Sequence, residues 1–279
     1  MNAWERMSRL DARCIYLLLT LVLVVPLLKP WNLPVPISPM TVAYKETLES
    51  LAPGKIIGIA ADYRSDTLTE LNPILQATFR QVMGQGNKVI IWALIDEGAN
   101  VSQAALEPIA EELGKVYGTD WINLGYKPGT NVTLQKMIDD LDEGAGYTDL
   151  FGKTLRDYPI MQGITSLTQM DMVIVIPSTT LGIEPYMTML TIPNKIPLLQ
   201  GCASGGATNA VNLYKADMIK GAIAGLRGAA EYEKLLDVPG LASAATDAQS
   251  AAHVLMIVLI GMANLVYFMN RRAKSGGGR

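Results

Sequence analysis

The sequence predicts an α/β domain with a doubly wound, mostly parallel sheet of five strands in three layers, flanked by an N-terminal and a C-terminal transmembrane helix. Short apolar runs alternate with segments of helical periodicity between residues 55 and 240, and this alternation is typical of βαβ units. The apolar runs lack a polar residue at every second position, so helices are expected to cover both faces of the sheet. Two long apolar segments outside this region predict the membrane spans.

The five strands are predicted where the apolar runs are shortest and richest in β-branched residues. They cover 55–61, 88–95, 120–124, 172–176 and 196–201. Helices are predicted for 67–83, 101–117, 133–141 and most of 208–236, and Asn131 is expected to cap the third of them. The order of the strands in the sheet does not follow from the sequence.

The two apolar segments are interpreted as membrane spans. Residues 251–270 contain no Asp, Glu, Lys or Arg, and about 20 apolar residues cross a bilayer as a helix. Residues 14–29 are shorter, but no small-residue cleavage site follows them, so we expect an uncleaved anchor. Basic residues outside both spans, Arg6, Arg9, Arg13, Arg271 and Arg272, predict that both termini are cytoplasmic.

These assignments divide the chain into seven parts. They are a cytoplasmic N-terminus (1–13), transmembrane helix 1 (14–29), a Pro-rich linker (30–54), an extracytoplasmic α/β domain (55–240), a helical connector (241–250), transmembrane helix 2 (251–270) and a basic cytoplasmic tail (271–279).

Composition excludes several classes of function. The 279 residues are 49% hydrophobic and 18% charged, which excludes a disordered chain. A single His and two Cys make a metal site or a disulfide framework unexpected. A net charge of −3 gives no case for nucleic-acid binding. The sequence contains neither GxGxxG nor GxxxxGK[ST], so no nucleotide and no other cofactor is predicted.

Polar residues after the predicted strands give a candidate ligand site, because ligands of open α/β sheets bind beyond the carboxyl ends of the strands. Asp62 and Tyr63 follow the first strand directly. Arg64 and Lys127 would balance a small anion, while hydroxyls and glycine backbones would contact it. The predicted ligand-binding residues are Arg64, Ser65, Lys127, Gly129, Thr130, Ser178, Thr179, Ser204 and Gly205. The alternative is that such residues are simply common in loops.

A second feature is the spacing of three glycines within a predicted helix at 218–231. Gly221, Gly225 and Gly228 would form a stripe of small residues on one face. Glycine within a helix costs about 1 kcal/mol relative to alanine, so the stripe suggests close packing of another backbone. That backbone would belong either to the domain's own sheet or to another subunit.

The segment from Pro197 to Thr208 resembles the Ala-Ser-Gly-Gly stretch of membrane-bound signal peptide peptidases of the Ser–Lys type. The resemblance implies that Ser204 is a nucleophile whose proton a lysine removes, with Lys127, Lys195 or Lys215 as the base. The glycine-rich substrate strand of that family has no counterpart here, and a tight strand-to-helix turn explains the same residues.

A broader resemblance joins NLGYKPG at 123–129, PIMQGI at 159–164, GLRGAAEYE at 225–233 and DAQSAAH at 247–253. These segments resemble an uncharacterised bacterial family of two-span membrane proteins with an extramembrane α/β domain. The resemblance implies the bacterial inner membrane, with the central domain on the periplasmic side, and it implies no activity.

Three functions remain open. The first is a non-enzymatic assembly, scaffold or accessory subunit whose partners are the lipid bilayer and either further copies of itself or other membrane proteins. The others are a module that binds or senses a small anion, and a Ser–Lys hydrolase with Ser204 as nucleophile.

Overall fold

The computed structural model of the protein describes residues 11–31, 33–178 and 180–276. The chain divides into two compact units. One is Val35–Ala242, which contains the whole sheet, and the other combines Met1–Pro34 with Ser243–Arg279. The predicted Thr179 lies outside the described residues, as do Arg6 and Arg9.

The sheet has six strands, all paired in parallel. They are β1 (Ile56–Ala60), β2 (Lys88–Ala93), β3 (Trp121–Tyr126), β4 (Met172–Val175), β5 (Leu198–Cys202) and β6 (Gly221–Ala224). Their order is β3-β2-β1-β4-β5-β6. This is the doubly wound order of the Rossmann fold, in which the chain starts in the middle of the sheet and winds outwards in both directions.

Helices cover both faces of the sheet and complete three layers. The helices of at least nine residues are α1 (Ala12–Leu28), α2 (Pro39–Glu49), α3 (Leu68–Gly84), α4 (Asp96–Glu112), α5 (Thr130–Asp139), α8 (Ala207–Lys215), α9 (Gly225–Leu235) and α10 (Leu241–Gly276), with two short helices, α6 (Leu141–Gly144) and α7 (Ile192–Asn194), between them. One core cluster lies under α2, α3, α4 and α9, and the other lies under α5 and α8.

Apolar residues on both faces of the central strands explain why the sheet is covered on both sides. On β1, Ile57 and Ile59 are fully buried in the cluster under α3 and α4. Gly58 between them faces the opposite layer, where a Cβ atom would lie 2.7 Å from the indole of Trp92. Glycine is therefore required at this point because the largest buried side chain of β2 occupies the space.

The prediction of five strands is wrong, because residues 221–224 form a sixth strand and not part of a helix. Gly221 pairs with Leu199, and Ala224 pairs with Cys202. A Cβ atom on Gly221 would lie 2.4 Å from the backbone nitrogen of Tyr44, so α2 packs directly on the backbone of this edge strand. The predicted glycine stripe does not exist, since Gly221 lies on β6 while Gly225 and Gly228 lie on α9.

The prediction of an extended linker over 30–54 is also wrong in its second half, which forms α2. Ser38 caps this helix by accepting a hydrogen bond from the Thr41 backbone, and Pro39 occupies its first turn, where proline is favoured. Two fully buried residues, Tyr44 and Leu48, belong to the core. The proline-rich composition therefore marked the start of a helix as well as a linker.

Several helix boundaries differ from the predictions. The second predicted helix starts at Asp96 and not at residue 101, because Asp96 and Glu97 occupy its first turn, where acidic groups favour the helix dipole. The third starts at Thr130, with Gly129 and not Asn131 at its N-cap.

One helix is long and apolar enough to cross a membrane, among the residues that the structure describes. It covers Leu241–Arg271 and belongs to α10. The N-terminal apolar helix, α1, has 17 residues, one fewer than the 18 taken here as the minimum length of a membrane-spanning helix. The N-terminal membrane span, transmembrane helix 1, therefore stays a prediction.

Two carboxylates of α9 hold the first and last segments of the sheet-containing unit. Glu231 accepts hydrogen bonds from the Ser38 backbone (2.9 Å) and the Thr41 hydroxyl (3.1 Å). Glu233 accepts from the backbone of Gly240 (3.0 Å) and Ala242 (3.1 Å). Both side chains belong to residues only 4% exposed, so these bonds satisfy buried charges while they fix the chain.

Candidate functional site

The site lies where the winding of the sheet reverses. β1 and β4 are neighbours, but the chain leaves β1 towards β2 and leaves β4 towards β5. The loops after these two strands therefore diverge and open a crevice at the carboxyl edge of the sheet, which is the usual ligand position in such folds. Asp62 follows β1, and its carbonyl accepts a hydrogen bond from the Ser178 backbone after β4 (2.9 Å).

A cavity of about 240 Å³ opens at this crevice. Its lining comes from the segments that follow four successive strands of the chain. The lining residues are Asp62 after β1, Leu94 and Ile95 after β2, Thr130 and Asn131 after β3, and Gly182, Pro185 and Tyr186 after β4. The volume is slightly below that of typical drug-sized pockets, so the cavity suits a small metabolite.

Asp62 is the buried charge of this cavity. Its residue is 4% exposed, and its carboxylate accepts hydrogen bonds from the Leu94 backbone (2.6 Å) and the Tyr186 hydroxyl (2.6 Å). Burial raises the pKa of Asp62 to about 6, and the bonds from Tyr186 and from the backbone oppose the rise. A buried carboxylate with a perturbed pKa in a cleft is a typical feature of functional sites.

Tyr186 is held in place from the opposite side. The indole nitrogen of Trp92 donates a hydrogen bond to the Tyr186 hydroxyl (3.2 Å). Two successive hydrogen bonds therefore connect Trp92 on β2, Tyr186 and Asp62. Tyr186 also starts a π-helical segment, Tyr186–Thr191. Such segments are rare and occur often at functional sites. The local backbone therefore positions a buried hydroxyl against a buried carboxylate.

The predicted cationic residues, Arg64 and Lys127, do not line the cavity. The Arg64 side chain is 58% exposed, and its guanidinium lies 3.9 Å from the carboxylate of Asp66. Lys127 is buried, its ammonium donates to the Thr148 carbonyl (3.0 Å), and burial lowers its pKa. The geometry therefore gives neither residue the role of balancing an anion in this cavity.

The predicted polar residues are scattered along the same edge. Ser65 donates from its backbone to Glu97 (2.7 Å), and its hydroxyl contacts the same carboxylate. The Ser178 hydroxyl is buried without a hydrogen-bond partner within the described ranges. Thr130 lines the cavity and has a φ of 46°, while Gly129 before it has a φ of 110°. Of the predicted residues that the structure describes, which excludes Thr179, Thr130 alone lines the cavity.

Ser204 and Gly205 lie in a short turn after β5, Ser204–Gly206. Both the backbone and the hydroxyl of Ser204 donate to the same oxygen of Glu70, at 2.6 and 2.7 Å. Gly225, with a φ of 63°, starts α9 beside this pair, and a Cβ atom there would meet the Ser204 hydroxyl. The residue next to Ser204 is thus a carboxylate, where the resemblance to Ser–Lys peptidases implies a lysine.

The structure also bears on cofactors. The turn between β1 and α3, residues 61–67, contains no glycine, whereas dinucleotide-binding Rossmann folds need glycines there to approach the pyrophosphate. No group of three or more His, Cys, Asp or Glu residues is placed to hold a metal ion within residues 11–31, 33–178 and 180–276.

Sequence reasoning located part of this site. Asp62 was identifiable as the first polar residue after a buried strand. Tyr186 and Trp92 were not, because no short-range pattern places a tyrosine from the loop after β4 over a tryptophan of β2. The contact between Tyr186 and Asp62 joins residues 124 positions apart in sequence.

Comparisons with known proteins show no family for this chain. No protein-family model matches the chain, and no curated protein matches it. The structure is similar to that of the trehalose-6-phosphate synthase OtsA, with 13% sequence identity and a TM-score of 0.31. The match covers 92% of this chain and 49% of that one, so the chain spans about half the length of that protein. A TM-score this low supports no conclusion about the activity of this chain.

Replacing Tyr186 with phenylalanine is expected to lower the free energy of unfolding by about 1 to 3 kcal/mol, because it removes a donor from a buried carboxylate. The loss should be larger at pH 8 than at pH 4, since the hydroxyl stabilises the ionised form of Asp62. Urea denaturation at both pH values measures the difference. Tyr126→Phe, at an exposed position, is the matched control and should change the stability by less than about 0.5 kcal/mol. An equal loss at both pH values would contradict the assigned hydrogen bond.

Proposed function

We propose that this protein is a membrane-anchored binding module that takes up a small polar metabolite in the cavity beside Asp62. The observation that carries the proposal is the buried Asp62–Tyr186 pair at the point where the sheet winding reverses. A buried charge costs stability, and its position at the usual ligand crevice of this fold gives that cost a functional reason.

Two features of the chain support binding over the other candidate functions. The Ser204 hydroxyl donates to a carboxylate, which does not supply the lysine base that a Ser–Lys hydrolase needs. The three glycines that suggested a subunit contact lie on a strand and a helix, so they do not form the helix face that was one of the reasons for expecting an assembly role.

The proposal includes the location of the domain. A helix that could cross a membrane follows the sheet-containing unit, and the basic residues beyond both apolar segments favour cytoplasmic termini. The domain would then lie on the outer face of a bacterial inner membrane. In a Val116→Cys variant that also carries Cys14→Ser, because Cys14 is an exposed free thiol, the new cysteine lies at an exposed position of the domain, and a membrane-impermeant maleimide should label it in intact spheroplasts. Labelling only after lysis would contradict this orientation.

The binding proposal is tested on the full chain in detergent micelles. Thermal unfolding is followed against a library of amines, amino acids, polyols, sugars and organic acids. We expect at least one class to raise the melting temperature in a saturable way, because a ligand that binds only the folded state stabilises it.

Two tryptophan substitutions identify the site. Asn131 lines the mouth of the cavity, and Asn131→Trp should abolish the shift. The neighbouring Val132 is 67% exposed and does not line the cavity, so Val132→Trp is the matched control and should retain the shift. A ligand that stabilises both variants equally would place binding elsewhere and contradict the proposal.

A further inference from the structure

The charges at the cavity beside Asp62 are unbalanced. Asp62 accepts hydrogen bonds from an uncharged backbone amide and an uncharged hydroxyl. Within the part of the chain that the structure describes, no lysine, arginine or histidine forms an ion pair with it. A buried carboxylate normally has a cationic partner, because isolated burial of an ion is expensive.

The two cations that the sequence predicted at this edge of the sheet have other partners. The ammonium of Lys127 donates to the Thr148 carbonyl, and the guanidinium of Arg64 lies beside Asp66. The residues next to the cavity lining add further negative charge. Asp96 directly follows the lining residue Ile95, and Glu184 directly precedes the lining residue Pro185.

The missing partner of Asp62 must therefore come from outside the chain if the charge is to be balanced. A hydroxyl of a neutral ligand would donate one more hydrogen bond but would leave the charge uncompensated. A primary or secondary ammonium group would donate hydrogen bonds and balance the charge in the same contact. Both groups would hydrogen-bond to an ionised acceptor, but only the ammonium adds an attraction between opposite charges, which is strong where water is excluded.

We propose that the cavity binds a small ammonium-bearing metabolite, with the carboxylate of Asp62 as its counterion and hydrogen-bond acceptor. The inference rests on the proposed function, and it replaces the anion predicted from the sequence with a cation. The volume of about 240 Å³ restricts the ligand to a small molecule, such as a short amine or an amino acid.

The test compares isosteric pairs that differ only in an ammonium or a hydroxyl group. 4-Amino-1-butanol is compared with 1,4-butanediol, and ethanolamine with ethylene glycol, by calorimetry on the full chain in detergent at pH 7.5. In at least one pair the amine should bind about tenfold or more tightly than its hydroxyl partner, because the hydroxyl lacks the attraction between opposite charges, and a tenfold ratio corresponds to about 1.4 kcal/mol. This comparison requires no variant.

Two variants assign the effect to Asp62. Asp62→Asn should remove the preference for the amine, because the asparagine side chain carries no charge. Asp66→Asn removes an exposed carboxylate that does not line the cavity, and it should retain the preference. If Asp62→Asn does not fold, the comparison of the isosteric pairs on the parent protein decides the proposal by itself.

The outcomes separate this inference from the proposed function. Equal binding of both members of each pair would overturn the ammonium inference and leave ligand binding intact. The same holds if neither member binds while a neutral or anionic library compound does, in a manner that Asn131→Trp abolishes. An absence of any ligand would overturn both proposals.

Discussion

Replacing Gly98 with alanine is expected to lower the free energy of unfolding by about 3 kcal/mol, through overpacking at the start of α4. A Cβ atom at this position would lie 2.0 Å from the Ala61 carbonyl oxygen and 3.1 Å from the Ala93 side chain. The clash is with backbone, so the helix itself must move. Ala61 directly precedes Asp62, and the movement should therefore also weaken ligand binding in the cavity. Chemical denaturation measures the loss.

The matched control is Gly84→Ala. Gly84 is the last residue of α3, it is exposed, and a Cβ atom added there would have no neighbour within 4 Å. Alanine is favoured over glycine in a helix by about 1 kcal/mol, so this variant should be as stable as the parent or slightly more stable. If Gly98→Ala behaved in the same way, the close approach of α4 to β1 would be disproved.

The second large effect is a pH dependence that Asp62 imposes on stability. Its pKa is raised from 3.8 to about 6 in the folded protein, so the folded state binds its proton more tightly than the unfolded state. The contribution to stability is complete below about pH 4, and it falls as the pH rises through 6. A shift of this size corresponds to about 3 kcal/mol.

The contribution of Asp62 can be separated from that of other groups with Asp62→Asn. Stability of the parent relative to this variant should fall by about 3 kcal/mol between pH 4 and pH 7, as measured by urea denaturation at intervals of half a pH unit. Tyr186 is the titratable side chain in direct contact, and its pKa is raised well above 10.0, so it does not titrate in this range. A constant difference between the two proteins would show that the carboxylate is not buried.

The sequence was sufficient to predict the class of the fold because its strands are strongly apolar. All five predicted strands exist, and each overlaps an observed one. The sixth was missed because three of the four residues of β6 are glycine or alanine, which are depleted in strands, and the glycines at 221, 225 and 228 mimic helical spacing. What defines β6 is pairing with β5 and the close approach of α2, and neither contact has a local signature.

The candidate site was predictable in position and not in chemistry. The chain winds outwards in opposite directions from β1 and β4, so ligands are expected to bind at the carboxyl ends of these two strands. Asp62 is one of the residues that follow them. Which of these residues line the cavity depends on their burial in the folded protein. That burial results from contacts between segments that are distant in sequence. Lys127, a predicted anion partner, is withdrawn towards Thr148, whereas Tyr186, which has no local signal, completes the site.

The hydrogen bonds of α9 have a consequence for how such a domain is used. Glu231 and Glu233 are two residues apart on one helix, and they fix the segments at the two ends of the Val35–Ala242 unit. Both ends of the unit are therefore held by the same helix. Domains with adjacent ends tolerate insertion into other chains. We therefore expect that the Val35–Ala242 unit can be inserted between two helices of an unrelated protein without straining either junction.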